Sequence, residues 1–184
     1  YTTSLQHWKS VVMKMPWPLF GQSKNNEICK METEVKIIEV QTVEEMMHNF
    51  HLLVQLTPSL NLQTYRQHLE NMIPHNYYQI VASSAEKIIG VSGYWIATKL
   101  YCGKYLEIDN FIVDEPYRSL GIGHLLIQKL ESIALANHCD VMMLDAYLQN
   151  IQAHKFYEKH YFAAKGYHFI KKVAPTPTRH ECLS

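Results

Sequence analysis

The chain has 184 residues, with 17 Lys and Arg, 17 Asp and Glu, and a formal net charge of zero. This balance argues against nucleic acid as the main partner, because such recognition usually needs a concentrated basic surface. No run approaches the roughly 18 consecutive apolar residues of a membrane span, and no signal peptide is visible. The composition predicts one cytoplasmic domain with an extension.

The cysteines and histidines give no sign of a metal site. Cys29, Cys102, Cys139 and Cys182 form neither a CxxC pair nor a regular framework, which favours a reduced intracellular protein. The eleven histidines include no HExxH motif and no cluster with zinc-finger spacing. We therefore expect no bound metal.

The first thirty residues precede the predicted domain, for which Met31 is a natural start. Apolar residues recur there at helical spacing: Leu5, Trp8, Val12 and Met15. Residues 1–30 are interpreted either as an arm that docks on a partner or as an upstream segment packed on the domain. The domain is predicted over residues 31–174, and residues 175–184 form a tail.

The next part of the chain predicts a strand, two helices and a hairpin. The strand covers Val35 to Val40, and a capping box at Thr42 then begins a helix that ends at Thr57 to Ser59. A second helix begins near Asn61 and ends at Pro74. The hairpin follows, with strands at 78–83 and 88–98 around a tight turn at Ala85-Glu86-Lys87.

A strand, a glycine-bearing loop and a helix then follow one another. Leu106 to Val113 is rich in β-branched and aliphatic residues, and Pro116 ends the strand because it has no N–H to donate. The loop holds Gly121 and Gly123, and apolar residues at helical spacing come directly after it: Ile122, Leu126, Leu130 and Ile133. Such a loop directs backbone N–H groups toward one point at the positive end of a helix dipole, which suits phosphate. Neither a Walker P-loop nor GxGxxG is present.

Two motifs together resemble a known family. Arg118, Gly121 and Gly123 form Arg-x-x-Gly-x-Gly, which closely resembles the acetyl-CoA-binding motif of the GNAT superfamily of N-acetyltransferases. Residues 150–159, from Asn150 to Lys159, are similar to the family's Asn-x-x-Ala-x-x-Phe-Tyr signature. The resemblance implies an α/β (α+β) fold with a mixed, mostly antiparallel central sheet flanked by helices.

The resemblance also implies how acetyl-CoA is held. The loop and the helix N-terminus would take the pyrophosphate through Arg118, Ser119, Leu120, Gly121, Ile122 and Gly123. The central strand would pair with the pantetheine arm through the backbone of Phe111, Ile112 and Val113. Asn150 is expected to contact the same arm, although helix capping alone also explains an asparagine there.

Glu107 is the preferred general base, because it precedes Arg118 at the spacing that the family's protein-lysine acetyltransferases use. Strand alternation predicts that Glu107, Asp109 and Phe111 share one face. Two carboxylates on one face repel each other, which favours uptake of a proton by one of them. Asp109 is the second candidate, and pairing of both groups with lysines is the structural alternative.

Tyr157 is the candidate acid, since the family's signature tyrosine lies near the coenzyme A sulfur. A phenol with a pKa of about 10 can protonate a departing thiolate. Packing beside Phe156 is the alternative explanation. The family follows this helix with an x-Gly-Phe turn, whereas this chain has Tyr161 at the glycine position, which puts the local turn in doubt. Closing strands are expected between Phe162 and Val173.

These observations predict an acetyl-CoA-dependent N-acetyltransferase that acts on a primary amine, by direct attack in a ternary complex because no cysteine lies in either motif. A small-molecule acceptor is favoured, and the resemblance implies that residues 57–62 would line its site. The alternatives are a protein lysine or N-terminal acetyltransferase and a non-catalytic acyl-CoA-binding module that engages a partner. A homodimer is a further expectation, since family members are often dimers.

Overall fold

A computed structural model describes residues 34–171 and residue 173. They fall into two compact units that divide after Leu144. The elements of the first unit are, in chain order, β1 (Lys36–Val40), α1 (Val43–Met47), α2 (Phe50–Leu56), α3 (Leu62–Met72), β2 (Tyr77–Ser84), β3 (Lys87–Lys99), β4 (Gly103–Val113), α4 (Ile122–Ala136) and β5 (Val141–Leu144). The second unit contains α5 (Ile151–Lys159). The predicted arm at 1–30 and tail at 175–184 lie outside the described residues, so the domain limits stay predictions.

The strands of the first unit form one mixed sheet in the order β1-β2-β3-β4-β5. Strands β1 to β4 pair antiparallel, and β5 pairs parallel with β4. This confirms the predicted mixed, mostly antiparallel sheet. Strand β5 pairs with β4 only from Tyr105 to Ile108, so the last part of β4 extends beyond β5.

Alternate residues of the sheet face two helical layers. One face packs against α1, α2 and α3 in a buried cluster of Val40, Met46, Leu52, Leu53, Tyr65, Leu69, Tyr77, Val81, Val91 and Ile112. The opposite face packs against α4, whose buried side chains include the predicted Ile122, Leu126, Leu130 and Ile133. Burial of each such side chain contributes ~1.5–3 kcal/mol. The start of α4 is therefore held firmly against the sheet.

The helix predicted from Thr42 begins as expected but is interrupted. The capping box is present, with Thr42 Oγ1 accepting from Glu45 N at 3.2 Å and the Glu45 carboxylate accepting from Thr42 N at 3.0 Å. The helix then divides into α1 and α2 at His48 and Asn49. Asn49 is fully buried and donates from Nδ2 to Gln79 Oε1 at 2.7 Å. The prediction of a single helix was wrong here. Asparagine is a poor interior helix residue, and the Asn49 side chain forms its hydrogen bond with Gln79 in the core instead.

The hairpin between β2 and β3 confirms the predicted tight turn. Ala85 and Glu86 have φ of 47° and 64°, and Ser84 pairs with Lys87, as in a two-residue type I′ turn. Both β3 and β4 run further than the sequence predicted, to Lys99 and from Gly103. This long β3–β4 pair carries the face on which the candidate carboxylates lie.

The second unit has a well-capped helix but lacks the predicted closing strands in its described part. Asn150 Oδ1 accepts from Ala153 N at 3.1 Å, as expected of a cap. Residues 162–171 form no strand, and their apolar side chains are exposed: Tyr167, Phe169 and Ile170. The strand prediction was wrong for these residues, because a strand needs a ladder partner and Ala163, Ala164 and Gly166 favour strands weakly.

Candidate active site

Strand β4 contains a bulge where the family resemblance predicts acetyl transfer. Gly93 of β3 pairs with Asp109 and Val91 pairs with Ile112, so Asn110 and Phe111 together face one residue of β3. Asn110 has a left-handed φ of 52°. The extra residue reverses the alternation of faces. Ile112 therefore shares the face of Glu107 and Asp109, and the prediction that Phe111 does so is wrong.

The two candidate carboxylates lie on the sheet face that carries α1 to α3. Glu107 pairs across the strands with Trp95, whose Nε1 donates to Asp109 Oδ2 at 3.3 Å. Lys99 Nζ lies 3.6 Å from Glu107 Oε2, and the Glu107 side chain is 30% exposed. The structural alternative foreseen from the sequence, a lysine partner, is thus realised for Glu107. Burial acts to lower the pKa of Lys99, but the electrostatic effects of Glu107, Tyr105 and Tyr101 together outweigh it and raise the pKa.

Lys99 was missed by the sequence analysis, although a signal for it exists. Its ammonium also lies 4.4 Å from the centroid of the Tyr105 ring and 3.4 Å from Met143 Sδ. If β3 and β4 are taken as a hairpin that turns at 101–104, strand alternation alone places Lys99, Tyr105 and Glu107 on one face. The group forms a half-open polar and aromatic surface beyond the helix-covered core.

Hydrogen bonds tie the loop after β4 to β4 itself, to β3 and to α2. Arg118 Nε donates to the carbonyl oxygen of Val113 at 3.1 Å, which closes the loop on the strand end. Asp114 is buried and accepts from Gln55 Nε2 at 3.1 Å and from Lys87 Nζ at 3.2 Å. The Arg118 side chain therefore has a structural contact, in addition to the charge that the sequence analysis assigned to it.

The hydrogen bonds that Asp114 accepts from Gln55 and Lys87 depend on pH, because the carboxyl group ionises. Burial acts to raise the pKa of Asp114, but hydrogen bonds from Gln55 and Lys87 and the Lys87 charge outweigh it and lower the pKa. A lowered pKa contributes stability above the ordinary carboxyl pKa of about 4. That stability is lost as pH falls through the lowered value. The stability that ionised Asp114 contributes is therefore fully present at neutral pH.

The residues before α4 give the loop the shape of an anion site. Ser119 and Gly121 have left-handed φ values of 63° and 81°, and Gly121 is the N-cap of α4. The first N–H groups of a helix have no intrahelical acceptors and lie at the positive end of its dipole. Ile122 is buried while residues 118–121 are exposed. The loop thus presents its backbone to solvent from a firmly packed helix.

The end of β4 extends beyond β5 toward the loop at 118–123. Because β5 stops at the partner of Ile108, the edge from Asp109 to Val113 has no β5 partner. Alternate backbone groups on such an edge are available to pair with amides. The edge leads directly into the loop at 118–123. Strand edge and helix N-terminus together suit a ligand with amides at one end and phosphates at the other.

In the second unit, the candidate residues also have local structural roles. Asn150 caps α5 through the bond to Ala153 already described. The Tyr157 ring makes edge contacts with Phe156 and Phe162, at centroid distances of 5.3 and 5.7 Å. Burial raises the pKa of Tyr157 to about 12. These contacts account for both residues structurally, so their catalytic roles stay predictions.

The turn after α5 forms without the family's glycine. Tyr161 has a left-handed φ of 63° and donates from its backbone N to the Glu158 carbonyl at 3.0 Å. Phe162 N donates to the Tyr157 carbonyl at 3.1 Å. These are the two bonds of a Schellman motif. The doubt about this turn is resolved: the backbone adopts it with tyrosine at the glycine position.

Comparison with known proteins identifies the family. Residues 44–162 match the model of the acetyltransferase (GNAT) family. The chain belongs to the GNAT acetyltransferases. An uncharacterized N-acetyltransferase of Bacillus subtilis, YhdJ, is 26% identical over 137 residues, covering 73% of this chain and 96% of the relative. Glucosamine 6-phosphate N-acetyltransferase 1 of Dictyostelium discoideum is 32% identical over 107 residues, covering 56% and 66%.

A solved structure agrees on the fold. The aminoglycoside N-acetyltransferase AAC(6')-Iy in complex with CoA has a TM-score of 0.69 at 16% identity, and the match covers 78% of this chain and 98% of that one. At this identity the likeness concerns the fold alone. Family membership makes this GNAT protein an acetyl-CoA-dependent N-acetyltransferase.

The described residues contain neither a metal-ligand cluster nor a membrane-spanning helix. Within 34–171 and 173, no group of three or more His, Cys, Asp and Glu side chains is arranged to hold a metal ion. The expectation of no metal stays a prediction. In the same part of the chain, no helix has the length and apolar character needed to cross a bilayer.

Proposed function

We propose that this GNAT enzyme acetylates a primary amine of a small molecule, by direct attack of the amine on acetyl-CoA in a ternary complex. The observation that carries the proposal is the pair of carboxylates, Glu107 and Asp109, on one half-open face directly before the β4 bulge. Acetyl-CoA supplies the acetyl thioester. The residues of this chain would hold it, prepare the amine and return a proton to the sulfur.

The reaction needs one group that removes protons from the amine and one that returns a proton to the sulfur. An ammonium must lose one proton to become a nucleophile, and the nitrogen loses a second after attack. Glu107 is the proposed acceptor, directly or through a water molecule, and releases these protons to solvent. A bond forms between the amine nitrogen and the acetyl carbon as the carbon–sulfur bond breaks. The backbone N–H groups after the bulge would stabilise negative charge on the carbonyl oxygen.

Tyr157 is the proposed source of the proton that the departing sulfur takes up. With a pKa of about 12, its phenol stays protonated throughout the neutral range. Solvent would restore the proton after each turnover. Asn150 and the strand edge from Phe111 to Val113 are proposed to bind the pantetheine arm, and the backbone of residues 118–123 the pyrophosphate.

A cationic small molecule fits the charge of the candidate site. An alkylammonium group, that of Lys99, already lies beside Glu107, so the carboxylate accepts this kind of partner. Trp95 lies across the strands from Glu107, and the Tyr105 ring has the Lys99 ammonium 4.4 Å from its centroid, so aromatic rings and a cation already meet beside the carboxylates. The name of the Dictyostelium relative records a small amino sugar for that protein. We propose residues 57–62 as part of the acceptor wall.

The decisive experiment measures coenzyme A release from acetyl-CoA across a panel of small amines, lysine peptides and N-terminal peptides. Glu107→Gln should lower kcat by about 10²- to 10⁴-fold, the usual contribution of a general base. Glu39→Gln is the matched control, because Glu39 is also a strand glutamate paired with a lysine, Lys129, on the α4 face. Its activity should stay near the wild-type value.

The panel also separates the alternatives. Turnover confined to peptides would replace the small-molecule acceptor by a protein acceptor, and Asp109→Asn tests whether Asp109 is the base instead. Acetyl-CoA binding without any turnover, together with unchanged binding in Glu107→Gln, would support a non-catalytic acyl-CoA-binding module. Failure to bind acetyl-CoA would overturn the proposal. Cytoplasmic location and a homodimer stay expectations.

A further inference from the structure

A chain of buried polar side chains runs from α1 to the sheet beneath the bulge. Asn49 donates to Gln79 Oε1 at 2.7 Å, and Gln79 Nε2 donates to the hydroxyls of Tyr77 at 2.9 Å and Tyr65 at 3.2 Å. Tyr65 in turn donates to the Met46 carbonyl at 3.0 Å. All four side chains are at most 5% exposed. Gln79 is therefore the junction that fixes both phenols.

The Tyr77 hydroxyl lies at the bulge. A Cβ atom on Gly93 would collide with this hydroxyl, so Tyr77 covers the β3 position that pairs with Asp109. Its ring packs against Trp95 at a centroid distance of 4.9 Å, and Trp95 holds the Asp109 carboxylate. Burial raises the pKa of Tyr77 far above its ordinary value, while hydrogen bonds from Gln79 and Asn110 act against this shift. The Tyr77 hydroxyl thus lies against Gly93, across the strands from Asp109, the residue that precedes Asn110.

The network is a poor source of stability. Asn49 Oδ1 is buried and has no hydrogen-bond partner among the described residues. A buried acceptor without a partner costs ~1–3 kcal/mol, and incompletely satisfied polar networks are less stable than apolar packing. A core built for stability alone would place apolar side chains here. The arrangement is better explained by what the network fixes in place.

We propose that Tyr77 is a positioning residue: its hydroxyl, fixed by Gln79, holds the Asn110 bulge and with it the Asp109 carboxylate and the backbone of Phe111. The inference rests on the proposed use of β4 in acetyl transfer. Asparagine adopts left-handed backbone less readily than glycine and gains from a side-chain contact. Without that contact the backbone of the bulge is less restrained. Small displacements of reacting groups lower the reaction rate by large factors.

The test compares two hydroxyl deletions that share Gln79. Tyr77→Phe should lower kcat by about tenfold to a hundredfold, with the KM of the amine nearly unchanged. Tyr65→Phe removes a hydroxyl at the far end of the network, next to α1, and should lower thermal stability by a similar amount but leave kcat close to wild type. In Tyr77→Phe with Asn110→Gly, activity should recover partly, because glycine adopts positive φ without a side-chain restraint.

Hydrogen exchange in the free protein gives a readout that does not depend on turnover. Tyr77→Phe should speed amide exchange at residues 110–112, whereas Tyr65→Phe should not. This separates the two proposals, since an inactive wild-type protein would remove the proposed function and leave the exchange test intact. Equal kcat and equal exchange in the two variants, or no recovery with Asn110→Gly, would overturn the positioning role.

Discussion

A turn with a left-handed residue lies within the first motif and another directly follows the second, and the two turns are built in different ways. Gly121, with φ of 81°, stands before α4, and the next residue is buried in the core. Tyr161, with φ of 63°, follows α5 and is 97% exposed. The first turn has glycine, the residue that adopts a positive φ most readily. The second adopts the same backbone conformation with a side chain that disfavours it.

The difference indicates which atoms each motif uses. Around Gly121 the proposed ligand contacts are backbone N–H groups, so a side chain would both strain the turn and cover the site. Around Tyr161 the backbone serves only to end the helix, and the proposed catalytic group is the side chain of Tyr157, one turn earlier. At Gly121, directly before the helix, the absence of a side chain therefore serves the proposed backbone contacts, whereas the Tyr161 turn forms with a side chain in place.

Among the variants that test this comparison of the two turns, removal of the Tyr157 hydroxyl is expected to have the largest effect. Tyr157→Phe should lower kcat by about 10²-fold, at the low end for a general acid, while the ring contacts with Phe156 and Phe162 persist. Tyr161→Phe removes an exposed hydroxyl from the same helix end and should leave kcat unchanged. The measurement is steady-state coenzyme A release with the best acceptor of the panel.

The pH profile tests the same role independently. Burial raises the pKa of Tyr157, so the neutral, proton-donating form persists up to a pH of about 12. No alkaline loss of kcat should therefore arise from this residue below about pH 11, one unit under its pKa. An alkaline limb near pH 9 that disappears in Tyr157→Phe would contradict the raised pKa of Tyr157, whereas a limb near pH 9 that persists in Tyr157→Phe would belong to another group.

A side chain at the first turn should cause the next largest change. Gly121→Val places a β-branched residue at φ of 81°, which costs ~1–2 kcal/mol and crowds the N–H groups before α4. The Kd of acetyl-CoA, measured by calorimetry, should rise about tenfold, the equivalent of ~1.4 kcal/mol. Gly166→Val is the control, because a Cβ there meets nothing within 4 Å. Equal effects of the two variants would rule out a special role for the Gly121 turn.

The sequence predicted most of the fold because its signals are local. The capping box at Thr42, the apolar stripe of α4 and the turn at Ala85 each act within a few residues, and the structure confirms all three. The closing strands after Phe162 failed because strand formation depends on a partner elsewhere in the chain. Composition alone carries no information about that partner.

The candidate site was predicted less completely, for a related reason. Backbone features such as the loop at 118–123 follow from glycine spacing, whereas the bulge at Asn110 depends on the register between β3 and β4. One inserted residue changed the face of Phe111 and brought Ile112 beside Asp109. The ion pair of Lys99 with Glu107 depends on the same register. Periodicity within a single strand detects neither feature, although a correct β3–β4 register would have placed Lys99 on the face of Glu107.

Two asparagine caps provide a smaller and sharper test of the second motif. Asn61 Oδ1 accepts from Thr64 N at 2.9 Å at the start of α3, as Asn150 Oδ1 accepts from Ala153 N at 3.1 Å. Replacement of either residue by alanine should cost ~1 kcal/mol of helix stability, measured by denaturant unfolding. If Asn150 also binds the pantetheine arm, only Asn150→Ala raises the KM of acetyl-CoA. Equal KM values in the two variants would leave Asn150 as a cap alone.

The smallest expected effect comes from placing glycine at the Tyr161 turn, which then has the same residue as the Gly121 turn. In Tyr161→Gly the left-handed conformation is no longer strained, while glycine gains freedom in the unfolded chain, which opposes part of the benefit. Tyr161 is almost fully exposed, so little packing is lost. The variant should gain up to ~1 kcal/mol in the free energy of unfolding, with kcat unchanged. A loss of kcat together with a gain in stability would mean that the tyrosine side chain itself serves the reaction, and that its strained backbone is retained for that purpose.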